Sequence, residues 1–314
     1  MDQSHVPVLA AAVVAHAVRA PGDWVVVDCT VGAGGHAEAL LRAMGPAGRL
    51  LGIDRDADAL AIASERLAPF GAQARLVRGN FRELGEIVEQ HGWGRTDAVV
   101  YDFGVSSMHF DRADRGFSYQ HNAPLDMRMD PAQGYSARDV VNGYSQQELT
   151  RVIRTYGEER WASRIAQFIV QARGRKPIET TGDLVDVIRA AIPAAARRVG
   201  PHPARRTFQA LRIEVNEELD AIGDSLPQAV AGLSPGGRLV ALSYHSLEDR
   251  IVKRFMRAEA SGEAPRLRLL TRKPIEPDAS EEERNRRSSS AKLRAAERLA
   301  SPPDVGGPPG GAAA

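Results

Sequence analysis

Four short apolar runs alternating with helical segments in the first third of the chain limit its folds most sharply. The runs 24–29, 49–54, 74–79 and 98–102 are rich in β-branched residues, and each ends on a turn or an acidic residue. Between them, residues 36–44, 57–70 and 81–91 have helical spacing. Strand and helix alternating at this interval make βαβ units, hence a parallel sheet covered by helices on both faces. Sparse aromatics, 5% of residues, suit close helix-on-sheet packing better than an all-β sandwich.

A fifth apolar run, 238–243, comes far later, so an insertion is expected after the fourth strand. Its opening, 111–135, is polar and irregular. Apolar residues then recur at helical steps in Leu149, Ile153 and Tyr156, and in Ile165, Phe168, Ile169 and Ala172. Thr181 starts a further helix, which stops at Pro193. The spacing predicts a helical domain over 111–204 inserted into a catalytic domain made of 1–110 and 205–300. A helix over 206–226 returns to the sheet, and Pro235-Gly236-Gly237 turns it into the fifth strand. The Pro-, Gly- and Ala-rich tail 301–314 is expected to be disordered.

The 314 residues, 43% hydrophobic and 26% charged, are enough to bury a core. Basic and acidic residues, 41 against 40, nearly cancel, so any nucleic-acid contact must come from local patches. One cysteine, Cys29, excludes an intramolecular disulfide and a cysteine-rich zinc site. Neither a signal-peptide pattern nor a membrane-length apolar run is present. A soluble cytoplasmic protein without membrane association is expected.

The first strand runs into Asp28-Cys29-Thr30-Val31-Gly32-Ala33-Gly34-Gly35-His36. Gly32, Gly34 and Ala37 match the dinucleotide-type fingerprint, and Asp54 ends the second strand where a ribose-binding acid belongs. Both NAD(P) and S-adenosylmethionine use such a loop. Asp28 would repel a pyrophosphate but tolerates a sulfonium-bearing zwitterion. Asn80-Phe81 after the third strand adds an aromatic for an adenine face, and Asp102 ends the fourth strand where a reaction centre would lie.

These features recur within longer motifs: His5-Val6-Pro7-Val8-Leu9, Gly52-Ile53-Asp54-Arg55-Asp56, Asp102-Phe103-Gly104-Val105-Ser106-Ser107 and Arg115-Gly116-Phe117-Ser118. Further on come Pro124-Leu125-Asp126-Met127-Arg128-Met129-Asp130, Tyr156-Gly157-Glu158-Glu159-Arg160, Arg206-Thr207-Phe208-Gln209-Ala210-Leu211-Arg212 and His245-Ser246-Leu247-Glu248-Asp249-Arg250. The set, spanning nearly the whole chain, resembles the small-subunit ribosomal RNA methyltransferases H, which methylate the exocyclic N4 of a cytosine in the decoding region of 16S rRNA. The resemblance implies an α/β, Rossmann-like methyltransferase fold with an inserted all-helical domain that helps to hold RNA. It implies S-adenosylmethionine contacts at Gly34, Gly35, His36, Asp54, Phe81, Asp102 and His109, with 16S rRNA in the small subunit as partner. A homodimer is left open. The chain departs from the family pattern at Phe103, usually leucine, at Met108-His109, and at Ala11 and Ala12 in place of acids.

Cytosine-C5 methylation needs a cysteine nucleophile near the fourth strand, and Cys29 lies on the first, so nitrogen or oxygen is the acceptor. Asp102 is the candidate proton acceptor. His245 is the second candidate catalytic residue and is expected, with Ser246, to line the cytosine pocket at the end of the fifth strand. No metal is required, and the sequence presents no ligand cluster. Arginines gather in the insert (Arg151, Arg154, Arg160, Arg164), along 197–212 and again over 266–294, as expected for phosphate contacts that weaken with salt.

Overall fold

The computed structural model describes residues 7–105, 113–197 and 202–300. After α1 (Ala10–Ala17) come β1 (Val25–Asp28), α2 (Gly35–Met44), β2 (Arg49–Asp54), α3 (Ala57–Leu67), β3 (Ala74–Arg78), α4 (Leu84–Gln90) and β4 (Thr96–Asp102). The helix expected from residue 81 opens with one 3-10 turn, Phe81–Glu83, where Asn80 accepts a hydrogen bond from the Arg82 N–H. Side chains alternate across the sheet. Val26 and Leu50 pack with α1 and α2, while Val27 and Leu51 share a core with α4 and later helices.

The insert comprises α5 (Ala137–Gly143), α6 (Gln146–Gly157), α7 (Ala162–Arg173), α8 (Thr181–Ala191), the single turn α9 (Ala194–Arg197) and α10 (Arg205–Asn216). Ser136, Ser145 and Thr180 start three of these helices with reciprocal capping boxes to Asp139, Glu148 and Asp183. The entry segment is fixed by Gly116. Its φ is +71°, and a Cβ there would lie 2.3 Å from the Pro124 carbonyl oxygen, so no other residue fits.

The helix expected over 206–226 is two helices, because Glu217 takes a left-handed conformation (φ 50°) between α10 and α11 (Glu218–Gly232). Phe208, Leu211 and Val215 of α10 belong to the insert's own core. The chain therefore rejoins the sheet layer after residue 217 rather than at 205.

Among the described residues the sheet has seven strands, not five. β5 (Leu233–Ser243) lies parallel to β4 and leads to α12 (Ser246–Glu259), β6 (Leu267–Leu269), α13 (Ala279–Arg284) and β7 (Lys292–Arg298). The order is β3-β2-β1-β4-β5-β7-β6, with β7 antiparallel to both neighbours. Lys292–Arg298 reads KLRAAER, a composition that favours helix. Pairing between two strands, with five of its seven residues buried, overrides that preference. The order reverses between β1 and β4, which opens a crevice at their C-terminal ends.

Candidate active site

Aspartates end three strands at this crevice: Asp28 on β1, Asp54 on β2 and Asp102 on β4. The loop after β1 is folded by their carboxylates. Asp28 Oδ1 accepts the Thr30 N–H (3.1 Å), and Asp54 Oδ2 accepts the Gly32 N–H (2.9 Å) while its Oδ1 accepts the Asp56 N–H (2.9 Å). Gly34, at φ 82°, ends the loop as the residue before α2. Thr30 Oγ1 then accepts the Asp102 N–H (2.6 Å), tying the loop to β4.

His36, in the first turn of α2, is buried. Its Nε2 donates to the Val8 carbonyl (2.9 Å), and its Nδ1 lies 3.4 Å from Asp102 Oδ2. Burial alone would lower the imidazole pKa. The hydrogen bond and charge of Asp102, helped by the charge of Asp28, outweigh it and raise His36 to about 9. Burial pushes Asp28 up to about 6, with the His36 cation opposing and Asp102 and Asp54 adding to the rise. The strand ends thus gather three aspartates and a histidinium, with Arg55 in electrostatic contact with Asp54 and Arg66 beside Gly34 and Gly35. Asp28 Oδ2 is buried without a hydrogen-bond partner. A carboxylate oxygen left without a partner fits a ligand carrying positive charge and opposes a pyrophosphate.

Phe81 is half-buried and meets Tyr101 edge-on (centroids 5.8 Å apart) and Phe103 at 6.0 Å, while Tyr101 and Phe103 stack at 5.0 Å. Phe103, one of the departures from the family pattern, thereby fills the core beneath Phe81. The structure brings Gly34, Gly35, His36, Asp54 and Asp102 to one crevice. His109 lies outside the described residues.

His245 is the N-cap of α12, a task that its position at a strand end did not announce. Its Nδ1 accepts the Glu248 N–H (3.4 Å), Glu248 Oε2 accepts the Tyr244 and His245 N–H groups (2.7 and 3.2 Å), and His245 Nε2 lies 3.1 Å from Glu248 Oε1. The imidazole side chain is 11% exposed, and its Nε2 has no hydrogen-bond partner. Ser246 donates to Glu158 of the insert (2.6 Å).

Glu218, His245 and Glu248 bring one ligand atom each within 4.8 Å of one another, a grouping the sequence did not disclose. Arg212 already holds Glu218 through two hydrogen bonds of 2.8 Å, whereas His245 Nε2 and Glu248 Oε1, though close, are both buried without a hydrogen-bond partner.

Polar contacts tie the insert to the sheet layer, among them Arg78 to Asp130 (2.8 Å) and those of Glu158 and Arg115. Glu158, in a left-handed turn after α6, accepts from Ser246 and Arg250 (2.6 and 2.9 Å). Buried Arg115 donates to the carbonyls of Arg128 and Met129 (3.0 and 2.8 Å) and lies 3.3 Å from Asp56. Some arginines expected to meet phosphate are structural instead: Arg212 pairs with Glu218, and Arg294 with Asp249 (2.7 Å). Arg154, Arg160, Arg164, Arg175 and Lys176 are exposed on the insert.

The MraW methylase family model matches residues 2–299. The chain belongs to this family. It is 52% identical over 291 residues to the ribosomal RNA small subunit methyltransferase H of Symbiobacterium thermophilum, covering 88% of this chain and 91% of the relative. The same-named protein of Heliobacterium modesticaldum is 48% identical over 285 residues, covering 86% and 91%. Among solved structures, an rRNA methylase from Streptococcus thermophilus matches at a TM-score of 0.40 with 12% identity, covering 93% of each chain. Membership makes this chain a methyltransferase that takes its methyl group from S-adenosylmethionine. Among the described residues no helix is long and apolar enough to cross a membrane.

Proposed function

We propose that this methyltransferase modifies the exocyclic N4 of a cytosine in the decoding region of 16S rRNA, within the small ribosomal subunit. The observation that carries the reading is the ring of strand-end aspartates, whose last member, Asp102, has a side chain 27% exposed beside the glycine loop. S-adenosylmethionine, when bound, supplies a methyl group on positively charged sulfur. Gly34, Gly35 and His36 would border its methionyl part, Asp54 would take its ribose hydroxyls, and Phe81 would lie against its adenine. The strand-end carboxylates favour the cationic donor over its neutral product.

A cytosine amine is a poor nucleophile because its lone pair is delocalised into the ring. The Asp102 carboxylate accepts a hydrogen bond from the amine and draws it towards a pyramidal nitrogen. The nitrogen lone pair forms the new N–C bond as the S–C bond breaks, with the thioether leaving neutral, and the N4 proton passes to Asp102. His245 stays in its helix cap and supports the site without touching the base. The exposed arginines of the insert meet phosphates, and the target cytosine leaves its stack to reach the crevice.

Incubating unmethylated small subunits with the protein and S-adenosylmethionine, then digesting the rRNA for mass spectrometry, should yield N4-methylcytidine at one position. A methyl group on carbon or ribose, or on another base, would overturn the assignment.

A further inference from the structure

Asp102 is held from two sides. The Tyr244 hydroxyl donates to its Oδ1 at 2.7 Å, and the His36 imidazole faces its Oδ2 at 3.4 Å. Tyr244 is itself anchored. Its backbone N–H donates to the fully buried Glu248 (2.7 Å), and its ring lies where a Cβ on Gly104 would be only 3.4 Å away. It comes from the end of β5, immediately before α12, whereas Asp102 ends the neighbouring β4. The glycine-loop pattern gives no hint of this pairing, and nothing in the resemblance assigns Tyr244 a role.

We infer that Tyr244 is a positioning residue for methyl transfer: its hydroxyl fixes the Asp102 carboxylate so that the remaining lone pairs face the amine. The inference rests on Asp102 being the proton acceptor. A donor aimed at one carboxylate oxygen does two things. It removes the side-chain rotation that would otherwise spread the acceptor over several directions, and it stabilises the ionised form that must be present before the amine attacks. Burial and the neighbouring Asp102 push the tyrosine's own pKa up, so the hydroxyl stays a neutral donor throughout the turnover. Glu248 and His245 act one step further back, holding the backbone from which Tyr244 projects.

The test is a cycle of Tyr244→Phe, Asp102→Asn and the double variant, each assayed for kcat, KM for S-adenosylmethionine and pH–rate profile on small subunits. Tyr244→Phe should lower kcat about tenfold, from loss of one hydrogen bond to a charged group, with KM for the donor within about twofold. The acid-side limb of its profile should move to higher pH, because the carboxylate loses a group that favours ionisation. In the Asp102→Asn background the same change should cost nothing more, since the tyrosine acts only through the carboxylate.

Incorporation of 3-fluorotyrosine at position 244 keeps the shape and strengthens the donor, so the acid limb should move the other way. That arm remains decisive if the phenylalanine variant folds poorly. Wild-type kcat and pH profile in Tyr244→Phe, an equal loss in both backgrounds, or an unmoved limb with the fluorinated residue would overturn the inference. Full activity of Asp102→Asn alone would instead remove the acceptor reading on which it stands.

Discussion

Asp102→Asn should lower kcat for methyl transfer about 100-fold or more, while binding of S-adenosylhomocysteine changes by less than about tenfold. The substitution is nearly isosteric. Asparagine keeps an oxygen that can accept from the Tyr244 hydroxyl and leaves the backbone N–H on Thr30 Oγ1 untouched. What disappears is the negative charge and with it the ability to take a proton from the amine. His36 also loses the partner that outweighs its desolvation, so its pKa should fall from about 9 towards or below the ordinary imidazole range. Single-turnover kinetics separate the chemical step from binding. A variant with wild-type turnover would show that the proton leaves by another route.

Arg115→Ala should be the most destabilising of the single changes considered, by roughly 3–5 kcal/mol, because it removes one partner from a buried ionic network. The guanidinium side chain is 10% exposed and faces Asp56, whose side chain is 2% exposed. Asp56 also caps α3 by accepting the Asp58 N–H at 3.0 Å. Arg115 further satisfies two carbonyls of the segment that leads into the insert, so its loss loosens the segment from the β2–α3 loop. Arg115→Lys should recover only part of the stability, since an ammonium cannot span both carbonyls and the carboxylate as a planar guanidinium does. Urea denaturation followed by circular dichroism measures both variants. An unchanged midpoint for the alanine variant would mean that Gly116 and the neighbouring helices hold the segment unaided.

The β1–β4 half of the sheet and its glycine loop are legible because their signals are local: β-branched runs, an acid at the end of β1, β2 and β4, and glycines at the turn. The same locality explains the failures. β7 is polar and alanine-rich, and its place between β5 and β6 is decided by partners far away in sequence. Glu217 breaks a helical pattern without glycine or proline to mark it, so α10 was assigned to the wrong layer. Glu248, three residues after His245, is the sign of a capping box, here with histidine as the capping side chain, which a strand-end position alone does not reveal. Tyr244 falls within the Ser243–Ser246 group that follows the fifth strand, a candidate by position, but neither its partner nor that of Arg115 can be read from spacing. Their partners, Asp102 and Asp56, lie on other elements and meet them only in the folded chain.

If aspartates 28, 54 and 102 seat a sulfonium donor, isothermal titration of the protein with S-adenosylmethionine and, separately, with NADH will distinguish the two ligands. Saturable binding of one S-adenosylmethionine per chain and no heat from NADH is the predicted result. NADH binding with no response to S-adenosylmethionine would contradict it.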